Sequence, residues 1–249
     1  MTLPLVVLAA MLAMMVVEAR RPAVALPTSR GWWPRAIAAS AFQAAVVVLA
    51  APLWDGWLRA HALLDGAALG TSLGALVGYV VITFVYYGWH RARHEVPFLW
   101  RWFHQLHHSP TRLEVVASFY KHPFEILANG LLSSAVLYGL LGMSLAAAAS
   151  ATLLTGLAEL VYHWNVRTPR WLGYLFQRPE MHRLHHAEGV HGYNYADLPL
   201  WDLLFGTFRN PATQDAPMGF GADAEQQVGA MLRGVDLGAP AGRSRDGAP

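Results

Sequence analysis

The sequence predicts an all-α, integral-membrane helical bundle of four to five spans, capped on one side by short helices that carry histidines. Three observations predict it. Long stretches have no charge, arginines flank those stretches on alternate sides, and eight histidines fall in three clusters at helical spacing. Charged residues make up 14% of the 249 residues and hydrophobic ones 55%, whereas soluble domains carry about 25% charged residues.

The elements follow in chain order. Thr2 to Val17 is apolar and ends at Glu18, Arg20 and Arg21. It has no basic leader and no small-residue cleavage site, so it is expected as a retained anchor, not a signal peptide. Ala36 to Trp54 is a second apolar stretch, and Gly66 to Trp89 is a third without any charge. Ile126 to Ala158 is too long for one crossing of about 20 residues. With its flanks, Pro123 to Tyr162, it is expected as a hairpin turning near Gly142-Met143-Ser144.

Arginines give the orientation. Arg20, Arg21, Arg30 and Arg35 follow the first segment, Arg91, Arg93 and Arg101 the third, and Arg167, Arg170, Arg178 and Arg183 the fifth. Under the positive-inside rule these sides are cytoplasmic, and all three histidine clusters lie there. The expected location is a multi-pass protein of the bacterial inner membrane, the bacterial assignment resting on Ala-, Gly- and Arg-rich usage. Residues 1–65 read as an N-terminal membrane region, 66–210 as the catalytic domain and 211–249 as a loosely ordered tail. The arginines form no long basic run, which argues against nucleic acid. The absence of cysteine removes disulfides, Cys-ligated zinc and thiolate-bound iron.

The clusters read His90-x-x-x-His94, His104-x-x-His107-His108 and His182-x-x-His185-His186. Positions i, i+3 and i+4 share a helix face, so each cluster is expected to aim its rings at one point. His163, at the end of the fifth segment, is a candidate ninth ligand. Glu159, one turn earlier, is a candidate partner for its second ring nitrogen. His122, before Pro123, and His191 are weaker candidates, better placed as supporting residues or at the site entrance. His61 falls on the opposite side of the membrane. Asn194, Tyr195, Trp201 and Asp202 read as a packing layer beneath the site.

Eight or nine imidazoles, at four or five per ion, imply two ions. Imidazole suits iron, copper, nickel and zinc. A structural zinc closes with four ligands, haem takes one or two axial histidines, and the H-E-x-x-H protease pattern is absent. A pair of irons that reduces O2 for attack on a lipid C–H bond fits this donor set best. The alternatives are a di-zinc membrane hydrolase and a metal transporter or sensor. Transport would need polar residues at bilayer depth, and the apolar stretches hold almost none.

Over residues 75 to 210 the chain resembles the fatty acid hydroxylase/sterol desaturase superfamily of membrane di-iron oxygenases. The resemblance rests on Trp89-His90-Arg91-Ala92-Arg93-His94, on Leu99 to Ser109, and on His122-Pro123-Phe124-Glu125. It continues through His163-Trp164-Asn165, His182-Arg183-Leu184-His185-His186, Asn194-Tyr195 and Trp201 to Thr207. It implies that the eight clustered histidines bind iron, and it raises His163 toward the same role. It also implies a bilayer lipid (fatty acyl, sterol, carotenoid or ether lipid) as substrate, either hydroxylated or desaturated. Some relatives carry a further histidine where this chain has Arg167, and Asn165 is the candidate to compensate. No fused cytochrome b5 domain is visible. Electrons are therefore expected from a separate cytochrome b5-, ferredoxin- or reductase-like donor.

Overall fold

Five long helices build the bundle because their apolar stretches are long, uninterrupted by charge and bounded by turn residues. The structure, a computed structural model, describes residues 2–213 and 215–238, and the side chains from residue 5 onward. The helices are α1 (Thr2–Arg20), α2 (Trp32–Ala60), α3 (Gly70–Glu95), α5 (Pro123–Leu140) and α6 (Leu145–His163). Among the described residues no strand forms, and four helices are long and apolar enough to cross a membrane: α2, α3 with its 3-10 lead-in from Gly66, α5 and α6. The expected first segment, α1, is a 19-residue helix packed along α6 and the 3-10 turn Val115–Phe119.

The expected hairpin forms where the sequence places it. α5 ends in a π-helical turn, Gly142 takes φ 61°, and the Ser144 hydroxyl accepts from Ala147 N at 3.2 Å to start α6. The loop after α2 meets this turn. Leu63 N, Leu64 N and Gly66 N donate to the carbonyls of Gly139, Leu140 and Leu141 at 2.8–3.1 Å. This places the His61 end of α2 beside the hairpin tip, away from the histidine clusters. α3 and α6 pack closely through small residues. A Cβ on Gly78 would meet Leu137 Cδ2 at 3.0 Å and Ala151 Cβ at 3.3 Å. The outward faces of the helices keep large apolar side chains exposed, such as Leu49 and Leu53, a surface suited to lipid.

At the other end, the cap is built from short elements: α4 (Gln105–His108), α7 (Pro179–His185) and α8 (Pro199–Phe205). Residues 215–238 belong to it and are not a loose tail. Met231 is fully buried with Trp32, Leu106 and Tyr120. The Glu225 carboxylate receives Arg35, Ser29 and Thr111. Composition hides this because the segment docks through isolated residues without periodicity. Residues 239–249 lie outside the described residues.

Gly142→Val should unfold more easily, by on the order of 2–4 kcal/mol. Its φ is positive and a Cβ there would meet Leu64 O at 1.9 Å. Thermal unfolding in detergent checks this; an unchanged Tm would refute the tight turn.

Candidate metal centre

Nine histidines converge between the ends of α3 and α6 and the cap. Their ring nitrogens form two groups, each with ligand atoms within 4.8 Å of one another: His90, His94, His104, His108 and His185, and then His107, His163, His182 and His186. The expectation that each cluster aims at one point is corrected here. His104 and His108 enter the first group while His107 enters the second, and His182 and His186 enter the second while His185 enters the first. Helix geometry explains the division. Residues i and i+4 are about 40° apart around the axis, but adjacent residues are about 100° apart. His107 and His108 therefore diverge, as do His185 and His186, and each H-x-x-H-H motif reaches both groups.

Backbone carbonyls fix the ring orientations. Nδ1 of His90 lies 2.7 Å from Tyr195 O, that of His185 2.7 Å from Tyr193 O, that of His107 3.2 Å from Tyr120 O and that of His163 2.9 Å from Glu159 O. A carbonyl only accepts, so each Nδ1 carries the proton and each Nε2 of a neutral ring presents a bare lone pair. Asp202 steadies the loop that supplies Tyr195, accepting from Tyr195 N at 2.9 Å and Ala196 N at 3.0 Å. His104 uses a carboxylate instead: its Nδ1 lies 3.1 Å from Glu125 Oε1, which also pairs with buried Arg93.

The lone pairs then confront one another. His107 Nε2 and His163 Nε2 are 3.3 Å apart; His182 Nε2 lies 3.1 Å from His163 Nε2 and 3.0 Å from His186 Nε2. Two neutral rings with Nδ1 protonated cannot hydrogen-bond through Nε2, so the His107–His163 pair calls for a cation between them. Nitrogens about 2.1 Å from one ion lie about 3.0–3.4 Å apart, which matches these separations. In the other group, Nε2 of His90, His94, His104 and His185 and both nitrogens of His108 are buried without a partner. Buried polar atoms are normally satisfied, so these orphans also mark a cation site. The donor set fits two ions held by nitrogen alone.

Burial keeps the rings uncharged, as ligation needs. It holds His104, His107, His108, His182 and His186 well below the usual imidazole range, helped by repulsion from neighbouring basic groups. Burial brings His185 down to about 3.

The weaker candidates resolve differently. The Glu159 side chain does not anchor His163; its backbone carbonyl does, and its carboxylate pairs with Lys121. Asn165 does not replace a ligand: it bonds Val24 on both sides and receives Arg183 at 2.8 Å. His122 caps α5, its Nδ1 accepting from Phe124 N at 3.1 Å. His191 donates to or accepts from no group member's ring; its Nδ1 meets His185 O at 3.2 Å, and it is stacked on His94 at the rim. Asn194, at φ 58°, braces the loop through Met181 O and Arg209 N. Sequence reasoning gave no role in the site to Arg93, Glu125, Lys121 or Asp197. The available signals were the Trp89 to His94 run for Arg93 and the His122-Pro123-Phe124-Glu125 run for Glu125.

The family model for fatty acid hydroxylases matches residues 75–207, more than half of the chain and all nine histidines. The chain belongs to the fatty acid hydroxylase family. Among curated relatives, the ornithine lipid hydroxylase OlsE of Rhizobium tropici is 39% identical over 142 residues, 55% of this chain and 42% of the relative. The fatty acid hydroxylase vlmA of a Lecanicillium species is 33% identical over 145 residues, 51% of this chain and 40% of the relative. The very-long-chain aldehyde decarbonylase GL1-5 of rice is 31% identical over 155 residues, covering 55% and 24%. The chain thus spans less than half the length of these relatives. No solved structure matches it.

The metal-free protein should lose stability as pH falls. The unfolded chain protonates its histidines near pH 6.5, while folded His185 stays neutral to about 3. Through that window the unfolded state binds more protons, so acid favours it. Denaturant unfolding at pH 7.5 and pH 5 checks the sign; equal or greater stability at pH 5 would contradict it.

Proposed function

We propose that the chain is a membrane-embedded two-iron hydroxylase that uses O2 and external electrons to oxidise a C–H bond of a lipid. The observation that carries the reading is the pair of facing lone pairs on His107 and His163, in the second of the two histidine groups. Membership of the fatty acid hydroxylase family supports it, as do two relatives named as lipid or fatty acid hydroxylases. The ligands would be the nine grouped histidines. Two irons held there would activate dioxygen and supply an oxidant able to attack an unactivated C–H bond.

The chain's own groups do the rest. Carbonyls of Tyr120, Glu159, Tyr193 and Tyr195 hold four rings in the Nε2-bare tautomer. Burial keeps bulk water from the centre and leaves the imidazoles neutral. Four helices long and apolar enough to cross a membrane lie beneath the site, which supports a substrate that reaches it from within the bilayer. We assign the arginine-rich, histidine-bearing end to the cytoplasm, where a separate soluble or membrane-bound electron donor would dock. The bacterial inner membrane is the location we propose, in keeping with the bacterial relative.

Turnover of a lipid extract by the purified protein under labelled O2, with a chemical reductant, tests this. One labelled oxygen should appear in the product. His107→Ala should lower the rate at least about 100-fold while still inserting in the membrane. Oxygen drawn from water, or near-wild-type activity of the variant, would overturn the reading.

A further inference from the structure

The two histidine groups differ in how well they are closed. All four members of the second group, His107, His163, His182 and His186, are buried, whereas His90 and His94 of the first are only half-buried. The first group is therefore the one with a side open toward the surface. Two aromatic rings stand at that side. Trp100 lies 5.3 Å from His94 and 5.4 Å from His108 between ring centroids. His191 is stacked on His94 at 5.7 Å, meets His108 edge-on at 5.0 Å and lies 5.5 Å from Trp100.

His191 is prepared as a ligand in the way the grouped rings are. Its Nδ1 lies 3.2 Å from His185 O. A carbonyl only accepts, so the neutral ring carries its lone pair on Nε2. Carbonyls tie His90, His107, His163 and His185 through Nδ1 in the same manner. Yet His191 belongs to neither group, each of which keeps its ligand atoms within 4.8 Å of one another. It is a further nitrogen donor one ring outside the site. The loop that carries it borders open space: a Cβ on Gly192 would meet nothing within 4 Å. Tyr195 steadies that loop, its hydroxyl donating to His191 O at 2.8 Å. Stacking on His94 needs only a ring; it does not need a nitrogen with a bare lone pair.

We propose that His191 is the port through which a divalent cation enters and leaves the first group, which makes that group the exchangeable half of the centre. Stripping a hydrated ion of all its water in one step is costly. A nitrogen at the rim replaces one water while others remain, and hands the ion on to His94 and His108. The second group, buried at all four ligands, keeps its ion. A donor that stabilises only the passing state speeds entry and exit alike and leaves the final affinity unchanged. The proposal rests on reading the groups as cation sites, not on the reaction carried out there.

Ferrous iron is the probe. The full chain in detergent is loaded without oxygen and challenged with an excess of a coloured ferrous chelator. Wild type should release its iron in two phases of equal size. His191→Ala should slow the fast phase, and the matching phase of reloading, on the order of 10-fold, about 1.4 kcal/mol on the barrier. The slow phase and the iron held at saturation should stay as in wild type. His191→Phe, which keeps a ring against His94 without the nitrogen, should behave alike, and free imidazole should restore the rate in His191→Ala. An unchanged fast phase in both variants would overturn the proposal and leave His191 a packing residue. Faster release with less iron at saturation would overturn it by making His191 a permanent ligand. Release of all the iron in one phase would contradict the division into an open and a closed group. A folded wild-type protein that takes up no iron would sink the metal reading itself, and the port with it.

Discussion

Nine imidazoles with their lone pairs turned inward are unstable neighbours unless something positive lies between them. That constraint organises the rest of the molecule. Each ring must be neutral, so seven of the nine histidines are buried and His90 and His94 half-buried. Five present Nε2 because their Nδ1 is tied off, by a backbone carbonyl at His90, His107, His163 and His185 and by Glu125 at His104. Those carbonyls must be steady in turn, which is the task of Asp202 beneath Tyr195 and of Gln177, whose side chain donates to Asn194 O.

The same logic explains the density of buried polar contacts in the cap. Glu18, at the end of α1, accepts from Val115 N and Asn165 N at 3.1 Å each. Arg183, inside an H-x-x-H-H motif, reaches Leu113 O and Asn165 Oδ1. Three segments far apart in sequence are thereby locked around the second histidine group. The bundle below supplies rigidity of a different kind, through small-residue packing between α3 and α6 that needs no directional bond.

Much of this was legible in the sequence because it is periodic. Uncharged runs marked five segments, α1 and the four helices long and apolar enough to cross a membrane, Gly142-Met143-Ser144 marked the hairpin, and helical spacing marked the eight clustered histidines. What was hidden depends on three-dimensional placement. The splitting of each H-x-x-H-H motif between two groups needs a second site on the other side of the helix. The anchoring of His163 falls to a carbonyl, which any residue at position 159 would supply, so the identity of Glu159 misled. Residues 215–238 dock through a few separate side chains, Met218, Glu225 and Met231, which leave no periodic trace. In the sequence Arg93 counted only toward orientation, but it is buried against Glu125 and His104.

Metal stoichiometry and coordination, measured on the purified full chain by elemental analysis and X-ray absorption, test the central claim most directly. Two ions per chain, each in a shell dominated by imidazole nitrogen, are predicted. A folded protein that holds one ion or none, or ions bound mainly by carboxylate oxygen, would contradict it.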